Sequence, residues 1–108
     1  MPYTIEEIRR RIQPVAEKYG LPAVYLFGSY ARGDATEESD IDLLVDTTGT
    51  TLTGLFALGA LYAALEEALE KKIDLLTVSA LQQTPTAVSD MVFRETVWKE
   101  KVDLYVAA

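Results

Sequence analysis

Residues 28–46 read GSYARGDATEESDIDLLVD, and this stretch decides how the rest of the chain is interpreted. Gly28 and Ser29 end an apolar run, and after a spacer of ten residues Asp40 and Asp42 follow with one residue between them. Because the side chains of a strand alternate between the two faces of its sheet, two such aspartates point to the same side. The spacing therefore predicts a pair of carboxylates on one face of a sheet, close to a glycine turn.

These residue types suit phosphoryl transfer, a reaction that depends on positioned cations and a phosphate-binding backbone more than on covalent catalysis. Asp40 and Asp42 provide the hard oxygen ligands that Mg²⁺ prefers, and they leave coordination positions for water and substrate phosphates. Gly28 can adopt a backbone conformation that brings main-chain N–H groups to an anion, and Ser29 adds a hydroxyl donor. We therefore predict a site for two magnesium ions beside a phosphate-binding turn.

A third aspartate, Asp74, interrupts the apolar segment KKIDLLTV at residues 71–78. An aspartate at the start of a strand, next to Lys71 and Lys72, also fits an ordinary solvated strand end. The presence of Asp40 and Asp42 earlier in the chain favours a different role for Asp74, that of a ligand in the same metal site. We therefore predict that Asp74 is a third metal ligand.

The segments GSYARG and SDIDLLVD resemble the nucleotidyltransferase fold shared with DNA polymerase beta. The similarity extends from YLFGSYARG through KKIDLLTV to RETVWKEKVDLYV, which is nearly the whole chain. Within that superfamily the chain is most similar to the minimal nucleotidyltransferase antitoxins paired with HEPN-domain ribonuclease toxins. Lys101 departs from the pattern, because relatives often carry a glycine before the final strand. The resemblance implies an α/β (α+β) fold with a mixed four-stranded sheet covered by helices.

The same resemblance implies the activity: transfer of AMP from ATP to a tyrosine hydroxyl of a HEPN ribonuclease toxin, which silences the toxin. Asp40, Asp42 and Asp74 would be catalytic and would hold two Mg²⁺ ions. Asp74 would also take the proton of the acceptor hydroxyl. Gly28 and Ser29 would bind the nucleotide phosphates.

Arg32 lies in the acidic spacer just after the Gly-Ser pair. A guanidinium there can bind a nucleotide phosphate through two hydrogen bonds. It can equally form an ion pair with Asp34 or Glu37. The resemblance favours nucleotide binding, which we predict for Arg32.

Two other functions fit the same residues. One is a nucleotidyltransferase that modifies a small molecule such as an antibiotic, with the acceptor site completed by a homodimer. The other is an antitoxin that blocks its partner by binding alone, without catalysis. Because 108 residues build a catalytic sheet and little else, a partner protein is expected to complete the site.

The composition is that of one globular domain spanning residues 1–108, with 49% apolar and 25% charged residues. The chain has neither cysteine nor histidine, which excludes disulfides, zinc sites built on thiolate or imidazole, and Ser-His-Asp hydrolysis. Its formal net charge of −7 argues against a nucleic-acid polymer as substrate, because proteins that bind phosphodiester backbones usually present a basic face.

The start MPYTIEEIRRR lacks the hydrophobic segment of a secretion signal. The longest uncharged stretch, residues 47–65, has too short an apolar part to span a membrane. We therefore expect a cytoplasmic protein without a membrane anchor.

Hydrophobic spacing and turn residues predict the order of the elements. Strands are predicted at residues 23–27, 41–45, 73–78 and 102–106. Helices are predicted from the capping box of Thr4 and Glu7 to Gly20, at 29–32, at 52–72, and after a cap formed by Thr84 and Pro85.

Three details of these helices can be tested. Pro14 should kink or split the first helix. The first half of the long helix, which includes Leu55 and Phe56, is apolar almost all round. We expect these residues to pack in the core, and the alternative is that they form a surface for a partner. In the last helix we expect four apolar side chains to point toward the core: Val88, Met91, Val92 and Val97.

Overall fold

One four-stranded sheet organises the chain in a computed structural model, which describes residues 2–52, 54–81 and 88–107. The strands are β1 (Ala23–Phe27), β2 (Ile41–Asp46), β3 (Ile73–Thr77) and β4 (Val102–Val106), in the order β3-β2-β1-β4. β1 runs antiparallel to β2 and to β4, whereas β2 and β3 are parallel. The predicted mixed sheet is therefore confirmed, with β1 and β4 at their predicted bounds.

Five helices are present in the described part of the chain: α1 (Ile5–Lys18), α2 (Gly28–Arg32), α3 (Leu55–Leu69), α4 (Val78–Leu81) and α5 (Val88–Glu100). α3 is shorter than the predicted 52–72, because Gly54 before it has φ 91° and Glu70 after it is left-handed at φ 52°. Val78, predicted as the end of a strand, instead begins α4. The predicted cap at Thr84 and Pro85 lies outside the described residues, as does the side chain of Val88.

Helix α1 begins at the predicted capping box, in which Glu7 N–H donates to Thr4 Oγ1 at 3.1 Å and Thr4 N–H donates to Glu7 Oε1 at 3.2 Å. It continues through Pro14, so of the two predicted effects the split does not occur and the kink stays a prediction. Because proline has no backbone N–H, the Arg10 carbonyl four residues earlier has no helical donor. Pro14 and Arg10 are both exposed, so water can donate to that carbonyl instead.

Helices α1 and α3 pack on one face of the sheet, which we call the closed face. The main core lies there and includes side chains from α1, α3 and all four strands, among them Ile8, Ile12, Val24, Leu26, Ile41, Leu43, Leu61, Leu65, Leu69, Ile73 and Leu104. Helices α4 and α5 pack on the other face, which we call the open face. Its buried cluster is small and consists of Leu44, Val78, Leu81 and Val97.

The apolar residues of α5 do not all point inward. Val97 is 3% exposed, but Met91 and Val92 are more than half exposed, so the predicted inward positions of the latter two are wrong. The apolar residues of α5 are spread around the helix instead of forming one stripe, and only one side can pack on the sheet.

The start of α3 also differs from expectation. Leu55 and Phe56 are 85% and 94% exposed, so core packing is the wrong interpretation for them. Leu61, Leu65 and Leu69, spaced four residues apart, are fully buried and form the stripe that faces the core. No helix in the described ranges is long and apolar enough to cross a membrane.

Candidate active site

Two of the predicted aspartates are neighbours on adjacent strands. Asp42 of β2 and Asp74 of β3 are paired in the parallel register, each at the second residue of its strand. The alternation of side chains places both on the open face, where Leu44 and Leu76 follow two residues later. Each strand has an aspartate as its second residue, and the parallel pairing of β2 and β3 therefore brings the two carboxylates together.

Gly28 lies against the Asp42 carboxylate. It follows β1 directly and has φ 74°, a left-handed conformation that favours glycine. A Cβ atom added to Gly28 would overlap Asp42 Oδ2 and come within 3.0 Å of Asp42 Cγ. The glycine is therefore required twice, by its backbone conformation and by its close approach to a carboxylate.

These residues line a cavity of about 610 Å³ on the open face. Its polar lining residues are Gly28, Ser29, Arg32, Asp42, Asp74, Thr96 and Glu100, and its apolar ones are Phe27, Leu75, Leu76, Phe93 and Val97. Five of the six predicted site residues therefore line one cavity. The volume lies within the range of small-molecule sites, roughly 300–1,000 Å³.

The surroundings of Asp42 disfavour its charged form. Burial raises the pKa of Asp42 to about 6, and the hydrogen bond and negative charge of Asp74 add to the rise. The charge of Asp40 raises it further, whereas the Arg32 guanidinium opposes the rise. A bound cation would relieve this repulsion, so the pair is suited to hold one.

Asp40 does not line the cavity. It precedes the first residue of β2, and its negative charge acts both on Asp42 and on Tyr62 of α3, whose hydroxyl donates to the Ile73 carbonyl at 3.1 Å. Across residues 2–52, 54–81 and 88–107, no group of three acidic side chains is arranged to hold a metal ion. The structure thus brings Asp42 and Asp74 together, with Asp40 at the edge of the site.

Arg32 lines the cavity and is also ion-paired. Its Nε lies 3.4 Å from Asp34 Oδ2, and its Nη1 lies 3.6 Å from Glu100 Oε2. About half of the Arg32 side chain is exposed, so these pairs are weak and exchangeable. Both interpretations of Arg32 therefore remain compatible with its position: it has acidic partners, and it faces the cavity.

Sequence reasoning missed the contribution of α5. Phe93, Thr96, Val97 and Glu100 line the cavity, and their spacing of three, one and three residues is that of one helix face. The Phe93 ring meets the Phe27 ring edge to face, with centroids 6.4 Å apart at 82°. The helical spacing was readable in the sequence, but the direction in which this face points depends on how α5 packs.

Comparisons with known proteins identify the family of the chain. The family model described as "Nucleotidyltransferase domain" matches residues 5–101. The chain is 33% identical over 99 residues to protein adenylyltransferase MntA of Thermococcus cleftensis, covering 88% of this chain and 95% of that protein. It is 38% identical over 94 residues to a Methanocaldococcus jannaschii protein named "Putative protein adenylyltransferase", covering 86% and 95%. A crystal structure of a toxin-antitoxin with AMP-PNP matches with a TM-score of 0.68 and 27% identity, covering 92% of this chain and 73% of that one.

Proposed function

Because the chain belongs to the nucleotidyltransferase domain family, we propose that it is an antitoxin that transfers AMP from ATP to a tyrosine hydroxyl of a HEPN-domain ribonuclease toxin in the cytoplasm. The observation that carries this proposal is the pair of Asp42 and Asp74 beside the Gly28 backbone in one cavity. The similarity to protein adenylyltransferase MntA supports a protein as the acceptor. The similarity to a toxin-antitoxin structure with AMP-PNP, an ATP analogue, supports a toxin partner and ATP as the donor.

The cofactor in this proposal is Mg²⁺, as two ions held by Asp42 and Asp74 with Asp40 at the edge of the site. The raised pKa of Asp42 supports a cation there, because two adjacent carboxylates are ionised together more easily beside positive charge. Magnesium sites in such enzymes use one or two carboxylates and complete the coordination with water and substrate phosphates. When bound, Mg²⁺ neutralises phosphate charge and stabilises the entering and leaving oxygens.

The chain's own residues then have separate tasks. Ser29 donates its hydroxyl to the triphosphate, and the Gly28 backbone approaches it closely. Arg32 exchanges its carboxylate partners for phosphate oxygens. Asp74, which is exposed, takes the proton of the incoming tyrosine hydroxyl as its oxygen bonds to the α-phosphorus. The bond between the α-phosphorus and the bridging oxygen to the β-phosphate breaks, and pyrophosphate leaves.

In this proposal the partner protein supplies the tyrosine that accepts AMP. The cavity is open at the surface beside exposed Asp74, so a tyrosine on another protein can reach it. The net charge of −7 favours a protein surface over a nucleic-acid polymer as the second ligand.

The test is incubation of the chain with α-labelled ATP, Mg²⁺ and the purified protein encoded by the adjacent reading frame. We expect label on a tyrosine of that protein and loss of its ribonuclease activity. Asp42→Asn should lower the transfer rate by at least about 10³-fold, because metal-ion catalysis is worth several kcal/mol. Asp103→Asn, the same charge change at an exposed position of β4, should leave the rate unchanged.

The alternatives give different results in the same assay. Label on small molecules alone would indicate a small-molecule nucleotidyltransferase. If the Asp42→Asn chain still neutralised the toxin, binding without catalysis would account for antitoxin activity, and the proposal of an enzymatic antitoxin would be wrong.

A further inference from the structure

The cavity on the open face has two chemically distinct parts. Ser29, Arg32, Asp42 and Asp74 form a polar part that suits phosphates and cations, as proposed above. Phe27, Leu76, Phe93 and Val97 form an apolar wall whose side chains offer no ligand to a phosphate or a cation. A triphosphate therefore accounts for only one part of the cavity.

The apolar wall has an aromatic surface that the protein leaves uncovered. Phe93 is 50% exposed, although it is an apolar residue beside a cavity. Its ring meets Phe27 edge to face, with centroids 6.4 Å apart at 82°, so Phe27 fixes its orientation without stacking on it. A face of the Phe93 ring is thus available to another planar group.

Two polar groups lie on the same helix face, and both have partners before a nucleotide binds. The Thr96 hydroxyl donates to the Val92 carbonyl of α5 at 2.9 Å. The Glu100 carboxylate lies 3.6 Å from Arg32. This side of the cavity consequently offers stacking to a ligand more readily than a set of free hydrogen-bonding groups.

Among the parts of a nucleoside triphosphate, the base is the planar group with a π face, and it is tethered to the phosphates through the sugar. We infer that Phe93, supported by Phe27 and Val97, is the stacking surface for the nucleobase of the donor nucleotide. This inference rests on the proposed function, since it takes the polar part of the same cavity as the triphosphate site. It adds a base-binding residue on α5 that the phosphate-binding sequence motif does not contain.

Two ligands separate base binding from phosphate binding: Mg²⁺ with ATP, and Mg²⁺ with inorganic tripolyphosphate, which has no base. Calorimetric titration of the full chain should show that Phe93→Ala weakens ATP binding about tenfold, the usual cost of losing an aromatic ring that stacks on a base. Tripolyphosphate binding should stay within about twofold of wild type, because the polar part is untouched. Phe56→Ala, at a 94% exposed phenylalanine on α3 that does not line the cavity, should change neither affinity.

Two further variants separate the loss of stacking from a loss of folding. Phe93→Leu keeps an apolar contact with Phe27 but removes the π face, and it should weaken ATP binding as Phe93→Ala does, whereas Phe93→Trp should retain it. Unchanged ATP affinity in Phe93→Ala, or equal weakening of both ligands, would overturn the inference. So would a wild-type chain that binds ATP no more tightly than tripolyphosphate.

The outcome is separable from that of the proposed function. A wild-type chain that binds ATP through Phe93 but transfers no AMP would leave the base site standing and refute the activity. A Phe93→Ala chain that binds ATP normally but no longer modifies the toxin would assign the apolar wall to the acceptor, which overturns the base site and leaves the activity standing.

Discussion

The two faces of the sheet differ in how they are covered. On the closed face, α1 and α3 bury a core to which sixteen described residues belong. On the open face, α4 and α5 bury only four, and the remaining surface holds Asp42, Asp74 and the cavity. Carboxylates cannot be placed in a dry core without a large desolvation cost. The chain thus concentrates its apolar core on one face and its candidate site on the other.

The largest expected effect on stability is on the closed face. Leu65→Ala removes a fully buried side chain of α3 and should lower the free energy of unfolding by about 3 kcal/mol. Leu55→Ala makes the same change on the same helix at an 85% exposed position and should cost less than about 0.5 kcal/mol. Urea denaturation measures both.

Transfer activity per folded molecule should be the same in the two leucine variants, because neither residue lines the cavity. If Leu65→Ala and Leu55→Ala destabilised the chain equally, burial in the core of the closed face would not account for the stability of the chain.

Gly28→Ala should impair the open face without a comparable effect on the closed face. The new Cβ displaces the Asp42 carboxylate, and the transfer rate should fall about 10²-fold, as expected for a misplaced catalytic group. Gly49→Ala is the matched control, since Gly49 has φ 76° against 74° for Gly28 and no described atom lies within 4 Å of a Cβ there.

Both glycine variants should lose about 1–2 kcal/mol of stability, because a side chain disfavours the left-handed conformation. Only Gly28→Ala should lose activity. Equal rates in the two variants would mean that the contact between Gly28 and Asp42 has no catalytic importance.

Several of these features follow from the sequence alone. Alternation along a strand predicts that Asp42 shares a face with Leu44 and that Asp74 shares one with Leu76, whereas the parallel pairing of β2 and β3 brings the two aspartates to the same face. The prediction that Asp40 and Asp42 share a face rests on the same rule, which does not hold Asp40 in place because that residue precedes β2. The compound Gly-Ser and Asp-x-Asp pattern identified the family, and the comparisons confirm it.

Other features depend on tertiary packing. The apolar residues of α5 carry no single stripe, so the sequence could not say that Val97 would be buried and Met91 exposed. Phe93 and Glu100 belong to the cavity only because α5 lies across the open face. Leu55 and Phe56 have an apolar sequence context but are 85% and 94% exposed at the start of α3, and nothing in their local sequence predicts that exposure.

Ionisation of Asp42 on the open face should make the free energy of unfolding depend on pH, by less than the loss expected for Leu65→Ala on the closed face. The raised pKa of Asp42, about 6, means that the native chain binds its proton more tightly than the unfolded chain does. The stability from this group is fully present below about pH 4 and is lost as the pH rises through 6. In EDTA at pH 8, Asp42→Asn should therefore be more stable than wild type, by about 1 kcal/mol once solvent screening is allowed for.

The advantage of Asp42→Asn should shrink toward pH 4, where the native carboxyl is protonated and the unfolded one is close to its ordinary pKa. Urea denaturation at pH 4, 6 and 8 gives the comparison. An asparagine variant that is less stable at pH 8, or an advantage that does not shrink toward pH 4, would show that the carboxylates of the open face impose no electrostatic cost.

The smallest expected effect concerns the ion pair at the edge of the cavity. Glu100→Gln removes the carboxylate that lies 3.6 Å from Arg32, and it leaves more of the guanidinium's positive charge for nucleotide phosphates. We expect ATP affinity to rise about two- to threefold, within the 0.2–1 kcal/mol of an exposed ion pair, and the gain to shrink at high salt. Glu95→Gln, the same change on α5 outside this cavity, controls for the lower net charge of the chain. An equal gain in both variants would attribute the effect to the overall charge, and a loss of affinity in Glu100→Gln would instead mean that the carboxylate holds Arg32 in its binding position.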